Sequence, residues 1–355
     1  MPRYRQSPIS RVEFMSFVRK ICFVLILLSL LQGCNLLNHK ETRSKYREVS
    51  LIDKNGNGME QVSGMTEFGD VLIFVAQKEN KLFYVDVNKA LLALSLHGDV
   101  RALKLKEVVM IGGFPEEASW EAITTASIDG ANYLFLSYEH LGEDEGADGN
   151  FHKIYKAKIN LEEQELKVSK VTEFSKALPV NKSSAIPVED QSNFGYEAIE
   201  WLEEKRQLVL LPELTGLNSV TLNEKGEVAH FSELTHGFRI SDVASTSNEE
   251  CLLVSSFCYK SDPICVKDEN NSKLSLAQIR LGTNKFEVDR VEDISNVAIE
   301  METINGNEMD TFNAEGISVI GRDILLVNDN APSKGVPTML RKLELPQNLL
   351  EQCKI

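Results

Sequence analysis

Hydrophobic positions from residue 48 onward come in short bursts rather than long periodic stretches. The strongest are Val71–Ala76, Tyr133–Ser137, Leu208–Leu211, Leu252–Ser255 and Ile324–Val327, each bounded by polar or turn-forming residues. Such runs predict buried strands. A similar element precedes each of them: Ser63-Gly-Met65, Trp120-Glu-Ala-Ile123, Tyr196-Glu-Ala-Ile199, Ser241-Asp-Val-Ala244 and Ala314-Glu-Gly-Ile317. Two more strand-like runs follow, for instance Asn218–Leu222 with Glu227–Phe231, and Leu274–Leu281 with Phe286–Val291. The pattern is a four-stranded unit built five times.

That repetition predicts an all-β fold, a β-propeller of five four-stranded blades. Its acidic starting positions lie 45 to 76 residues apart, against about 40 to 50 for common propeller repeats, which leaves room for long loops or a sixth blade. Pairing of Glu48–Ile52 with a strand near Met339–Leu345 would let the N-terminal strand close the ring and remove a free sheet edge. An antiparallel sandwich also has many short strands, but it does not require the same tetrad to restart on an acidic residue. No stretch after Arg47 shows a sustained helical period with caps, so a doubly wound α/β fold is not expected.

The first thirty-four residues follow a different logic. Arg3, Arg5, Arg11, Arg19 and Lys20 precede the apolar run Ile21–Leu31, which is too short to span a bilayer, so the segment reads as an export signal. It ends in Leu31-Gln32-Gly33-Cys34, similar to a bacterial lipobox in which the cysteine is lipidated and becomes the mature N-terminus. The alternatives are an ordinary signal peptide and an uncleaved anchor. The expected organisation is a signal peptide over 1–33, a lipidated Cys34 with a flexible tether to 47, and one propeller over 48–355. The protein would then sit in a bacterial cell envelope, on the outer membrane of a diderm cell, touching membrane through its lipid alone.

Charge narrows the partners. Asp and Glu outnumber Lys and Arg 53 to 38, for a net charge of −15. Nucleic acid is not expected, because phosphate binding draws on Lys and Arg. A small-molecule ligand or an envelope protein is. With Cys34 acylated, an envelope location lets disulfides persist among Cys251, Cys258, Cys265 and Cys353. Cys258 and Cys265 flank a turn-like stretch and are the first pair to consider; connectivity stays open.

Propeller geometry turns the repeats into a candidate site, since residues entering each first strand and leaving each second strand converge on one mouth of the channel. The first set is Glu121, Glu197, Asp242 and Glu315, with Ser63 in the remaining blade. The second is Gln77, Glu139, Glu213, Ser256 and Asp329, the last between Asn328 and Asn330. Crowded carboxylates and amides favour a hard divalent cation, and calcium is the expected cofactor, with Glu121, Glu197, Glu315 and Asp329 as ligands. The competing structural role for each acid is to hydrogen-bond a neighbouring blade. Asp53-Lys-Asn-Gly-Asn-Gly58 has part of a calcium-loop pattern but lacks its final glutamate, Gly64 standing there, so it reads as a turn.

Asn193-Phe-Gly-Tyr-Glu-Ala-Ile199 and Phe312-Asn-Ala-Glu-Gly-Ile317, followed by Leu326-Val-Asn-Asp-Asn330, resemble signatures of the phytase-like (esterase-like) propeller domain. Val62-Ser-Gly-Met65 and Ser119-Trp-Glu-Ala-Ile123 resemble the SdiA-regulated propeller family, with Ser119 where that family has Asp, and Ala122 and Ala198 where Gly is common. The resemblance implies a propeller; with Asn193 and Asn313 added to its acidic mouth, the expected function is to bind a cation and an envelope ligand without chemistry. Its alternative is metal-assisted phosphoester or ester hydrolysis, in which Glu197 or Glu315 activates water. Phosphate would want cations, and Lys78, Arg239 and Lys334 are the few near the motifs. No G-x-S-x-G elbow, Walker loop or dinucleotide fingerprint occurs.

Overall fold

A strand whose every residue is apolar needs a hydrophobic neighbour on both faces, and the order of the sheets supplies one. The computed structural model describes residues 47–344 except 78–79, 97–101, 113–118, 140–150, 176–177, 180–195, 214–217, 234–238, 247–250, 258–272, 281–286, 294–302, 305–306, 309–313 and 329–337. The chain from Tyr46 to Ile355 forms one unit. Strand β1 (Arg47–Ile52) is followed by β2 (Val62–Phe68), β3 (Val71–Ala76) and β4 (Lys81–Asp86), a helix α1 (Val87–Ser95), β5 (Ala102–Lys104) and β6 (Lys106–Glu107). The first blade has the order β2-β3-β4-β6.

The second blade comprises β7 (Val109–Ile111), β8 (Ser119–Ile128), β9 (Ala131–Glu139), β10 (Phe151–Glu162), β11 (Glu165–Glu173) and β12 (Leu178–Pro179). The third is β13 (Ala198–Leu202), β14 (Gln207–Leu211), β15 (Asn218–Asn223) and β16 (Val228–Glu233). The fourth is β17 (Arg239–Ser245), β18 (Cys251–Phe257), β19 (Lys273–Arg280) and β20 (Glu287–Asp293). A short hairpin, β21 (Thr303–Ile304) with β22 (Asn307–Glu308), leads to β23 (Ala314–Ile320), β24 (Asp323–Asn328) and β25 (Met339–Glu344) of the fifth.

Five blades are present among the described residues, each built from an antiparallel strand meander, as the repeats predict. Two of them depart from the expected four strands. In the second, β7 adds parallel to β11 and β12 pairs with β10, making six; in the fifth, β1 and then β5 add beyond β25, making five. The expected pairing of the N-terminal strand is present: Glu48 faces Arg341 and Val49 faces Leu340 in antiparallel register. Arg341 donates from Nε and Nη2 to Glu48 Oε2 at 3.1 and 2.7 Å, tying the two chain ends together.

Alternation along each second strand divides its side chains between two layers. Leu72, Phe74 and Ala76 of β3 pack with Val49, Leu51, Leu325 and Leu340, whereas Val71, Ile73 and Val75 pack with Leu134, Leu136 and Val168. Strand β9 repeats the division, sending Phe135 to the opposite side with Leu208 and Leu210. Strand β14 continues it, Val209 and Leu211 meeting Leu252 and Val254. The core is therefore a set of apolar layers between blades, and the first strands touch in the order β2, β8, β13, β17, β23, with β23 also against β2.

The helix α1 is a short, capped helix after Arg47 that no sustained helical period marks in the sequence. Nine residues are too few for a sustained period, and the signal is local: Asp86 accepts from the Lys89 backbone N–H at 2.9 Å as an N-cap. Val87, Ala90, Ala93 and Leu94 form its buried side, against β1 and β4. Asp86→Ala is expected to lower stability by about 1 kcal/mol in urea unfolding, since the layer beneath α1 stays intact.

Candidate functional site

The first strands begin at one end of the channel, here the entry end. In four of them the register with the second strand skips at the repeat element, leaving Ser63, Glu121 with Ala122, Ser241 and Glu315 at bulges. The blade-four equivalent of Glu121 and Glu315 is thus Ser241, not Asp242. Asp242 lies one residue deeper, level with Gly64, Ala122 and Gly316.

Several described groups of this rim join blades. Ser63 Oγ donates to the Trp120 carbonyl at 2.6 Å, and Ser241 Oγ donates to the Ala314 carbonyl of the next blade. Gln77 Nε2, just past β3, donates to Glu121 Oε1 at the start of β8. The same relation recurs where Arg239, opening β17, forms an ion pair with Glu213, which follows β14. Arg239 is therefore committed to a buried carboxylate of the neighbouring blade. Glu121, Glu197 and Glu213 are all buried. Asn328 Oδ1 accepts from Met339 N at 2.5 Å, inside its own blade.

Other predicted positions divide by placement. Glu139 ends β9 opposite Ser119, Ser256 of β18 is buried, and Glu315 lies in the β23 bulge. Asn193, Asn313, Asp329, Asn330, Lys78, Lys334, Cys34, Cys258 and Cys265 lie outside the described residues. Cys251 is disulfide-bonded. Among the described residues no three His, Cys, Asp or Glu side chains are grouped to hold a metal ion. The described part of the rim does not by itself make a cage for calcium.

Asp242 occupies the channel instead. It is wholly buried, with Oδ1 accepting from Val243 N and Oδ2 from Ile317 N, both at 2.8 Å, and the Met65 amide donating as well. One carboxylate thereby ties β17 to β23 and β2. Burial pushes its pKa well above the usual carboxylate range, against the pull of those amides and with help from Glu200. Small residues stand at the same level in three other blades, Gly64, Ala122 and Gly316.

A cavity of about 580 Å³ opens where the first strands finish, at the exit end. All five contribute: Met65–Phe68 of β2, Thr124–Ser127 of β8, Glu200 and Trp201 of β13, Val243–Ser245 of β17 and Ile317–Val319 of β23, with Gly69, Asn132 and Glu203 from adjoining turns and strands. That convergence is what radial symmetry requires of five first strands running the same way. Glu200 Oε2 accepts from Thr124 Oγ1 at 2.8 Å and its Oε1 from Ser245 N at 2.9 Å, so this carboxylate spans blades two, three and four. Glu203 Oε2 accepts from Trp201 Nε1 at 2.6 Å. Glu67 is half-buried, and burial together with Asp70 raises its pKa.

The sequence motifs gave no sign of this cavity. One level of its wall lies one or two positions beyond the repeat elements, where each blade has a different side chain: Glu67, Thr125, Trp201, Ser245, Val319. The usable signal was strand length alone, since parallel first strands that converge at one end converge at the other.

No family model matches the chain, and no curated protein does. Among solved structures, the chain is similar to an exo-β-1,3-galactanase from Phanerochaete chrysosporium, with 9% identity, a TM-score of 0.48, and coverage of 84% of this chain and 64% of that one. It thus spans less than two thirds of the galactanase. It is also similar to an α-L-arabinofuranosidase from Lactobacillus brevis, with 10% identity, a TM-score of 0.47 and coverage of 81% and 92%. The glutaminyl cyclase of Myxococcus xanthus shows 10% identity, a TM-score of 0.44 and coverage of 84% and 96%. Likenesses this distant carry nothing about activity, and the architecture stands on the five sheets and their contacts.

Proposed function

We propose that this protein is a lipid-anchored cell-envelope propeller, of the phytase-like or SdiA-regulated kind its motifs resemble, that holds a small ligand in the exit-end cavity without transforming it. The observation that carries this is the cavity itself: about 580 Å³, within the range of about 300–1,000 Å³ typical of small-molecule sites, and lined from five rigid strands. Two of its carboxylates, Glu200 and Glu203, already serve as acceptors that orient neighbouring elements, a positioning role rather than that of a poised acid and base. Anchoring is supported by the basic segment, short apolar run and Gly33-Cys34 pair.

Two measurements test the proposal. Cys34→Ser is expected to abolish lipid incorporation and move the protein out of the membrane fraction; unchanged fractionation overturns the anchor. Filling the cavity with Ala126→Trp is expected to abolish the melting-temperature rise that a small-molecule panel produces in the wild type. Calcium belongs to the competing outcome: a calcium-dependent rise in Tm and turnover of a generic phosphomonoester, both lost in Glu197→Gln and Glu315→Gln, would replace binding by metal-assisted hydrolysis.

A further inference from the structure

Among the described residues, the lining of the exit-end cavity has three carboxylates, Glu67, Glu200 and Glu203, and no lysine, arginine or histidine. We infer that the cavity's ligand is an organic cation, a small molecule carrying an amine or ammonium group that sits between these carboxylates. The inference deepens the binding function proposed above and rests on it.

Geometry separates an organic cation from the other charge classes. A bare metal ion needs several oxygens drawn onto one point, and no three acidic groups among the described residues are so gathered. A space of about 580 Å³ suits a molecule rather than an ion. An anion would meet three carboxylates with no counter-charge among the described lining residues.

The three acids are not equivalent. Glu200 is held by Thr124 and the Ser245 amide, and Glu203 by the Trp201 indole, so both have set orientations. The Glu67 carboxylate takes no hydrogen bond from a described residue. Half-buried and beside Asp70, it is costly to ionise in the empty cavity. An ammonium group supplies both the missing donors and the opposite charge, so Glu67 is the residue whose ionisation most favours such a ligand. Hydroxyls of Thr125, Ser127 and Ser318 remain for the rest of the molecule.

Titration of the detergent-solubilised full chain tests this, with spermidine and tetramethylammonium as cation probes, galactose as the neutral probe and inorganic phosphate as the anion probe. The chain has two tryptophans; Trp120 is fully buried and Trp201 lines the cavity, so fluorescence reports occupancy there. The expected result is saturable one-to-one binding of a cation probe, weakened about tenfold by Glu67→Gln and unchanged by Glu162→Gln on the exposed surface. Cation binding insensitive to Glu67→Gln overturns the inference. Binding of galactose or phosphate in place of the cations overturns the ligand class and leaves the binding function standing. Silence from every probe, in the wild type and in Ala126→Trp alike, overturns both.

Discussion

Asp242→Ala is expected to destabilise the propeller by about 3 kcal/mol, because it leaves buried backbone donors without their acceptor and each such loss costs about 1–3 kcal/mol. The donors are the amides of Val243, Ile317 and Met65, from three different first strands, so the loss falls on the seams joining the fourth, fifth and first blades. That is a large part of a typical stability of about 5–15 kcal/mol. Asp242→Asn should recover only part of it, since Oδ1 still accepts but the side-chain NH₂ faces a backbone N–H. The pH dependence has a definite sign. A carboxyl raised above its ordinary 3.8 in the folded state contributes stability that is full below that value and lost as pH rises through the higher native value. The wild type should lose stability over that interval, and Asp242→Asn should flatten the curve. Urea unfolding at several pH values measures both effects; a loss under about 1 kcal/mol in Asp242→Ala would show that the three amides find other partners.

Gly316→Ala is expected to cost about 2–3 kcal/mol through overpacking, and Gly316→Val more. An added Cβ would lie 2.5 Å from Val327 Cγ1 and 2.9 Å from both Met65 Cβ and Met65 N. Neither neighbour can retreat cheaply. Val327 is buried in the layer between the fifth and first blades, and the Met65 amide is one of the donors to Asp242. Gly64→Ala is the matched control: its Cβ would meet Ile123 Cγ2 at 3.2 Å and the Ala122 and Ile123 backbone at 3.3 Å, a shift of a few tenths of an ångström. Denaturation of the two variants should rank Gly316→Ala well below Gly64→Ala, and equal losses would mean the β2–β23 contact yields. Combining Gly316→Ala with Asp242→Ala should give less than the sum, because both displace the Met65 backbone.

The second strands were legible because each is buried on both faces, and a strand with two apolar neighbours has no polar position left to disguise it. The first strands were legible as repeats but not to the residue. Aligning acid with acid put Asp242 beside Glu121 and Glu315, whereas the bulges align Ser241 with them. Serine can join blades there as well as glutamate can, by donating to the next blade's carbonyl. The helix α1 escaped because its nine residues rely on one cap and on packing against β1 and β4, not on a long amphipathic stripe.

Chemistry at the two ends of the channel divided in the same way. Repetition drew attention to the entry end, where several described groups hold blades together: Gln77 with Glu121, Arg239 with Glu213, Asp242 with backbone amides. The exit-end cavity is assembled from residues that look unremarkable in sequence because the blades contribute five different ones at the level of Glu67, namely Glu67, Thr125, Trp201, Ser245 and Val319.

Local pattern was enough for the buried second strands, for five blades and for the pairing of Glu48–Ile52 with a strand near Met339–Leu345, since burial and alternation are written along the chain itself. Which carboxylates face a ligand and which face a backbone amide depended on contacts between residues 57 to 76 positions apart, such as Ser63 with Trp120 and Glu200 with Thr124. A one-residue bulge reverses which side of a strand a side chain takes, and only the packed blades determine where such bulges fall.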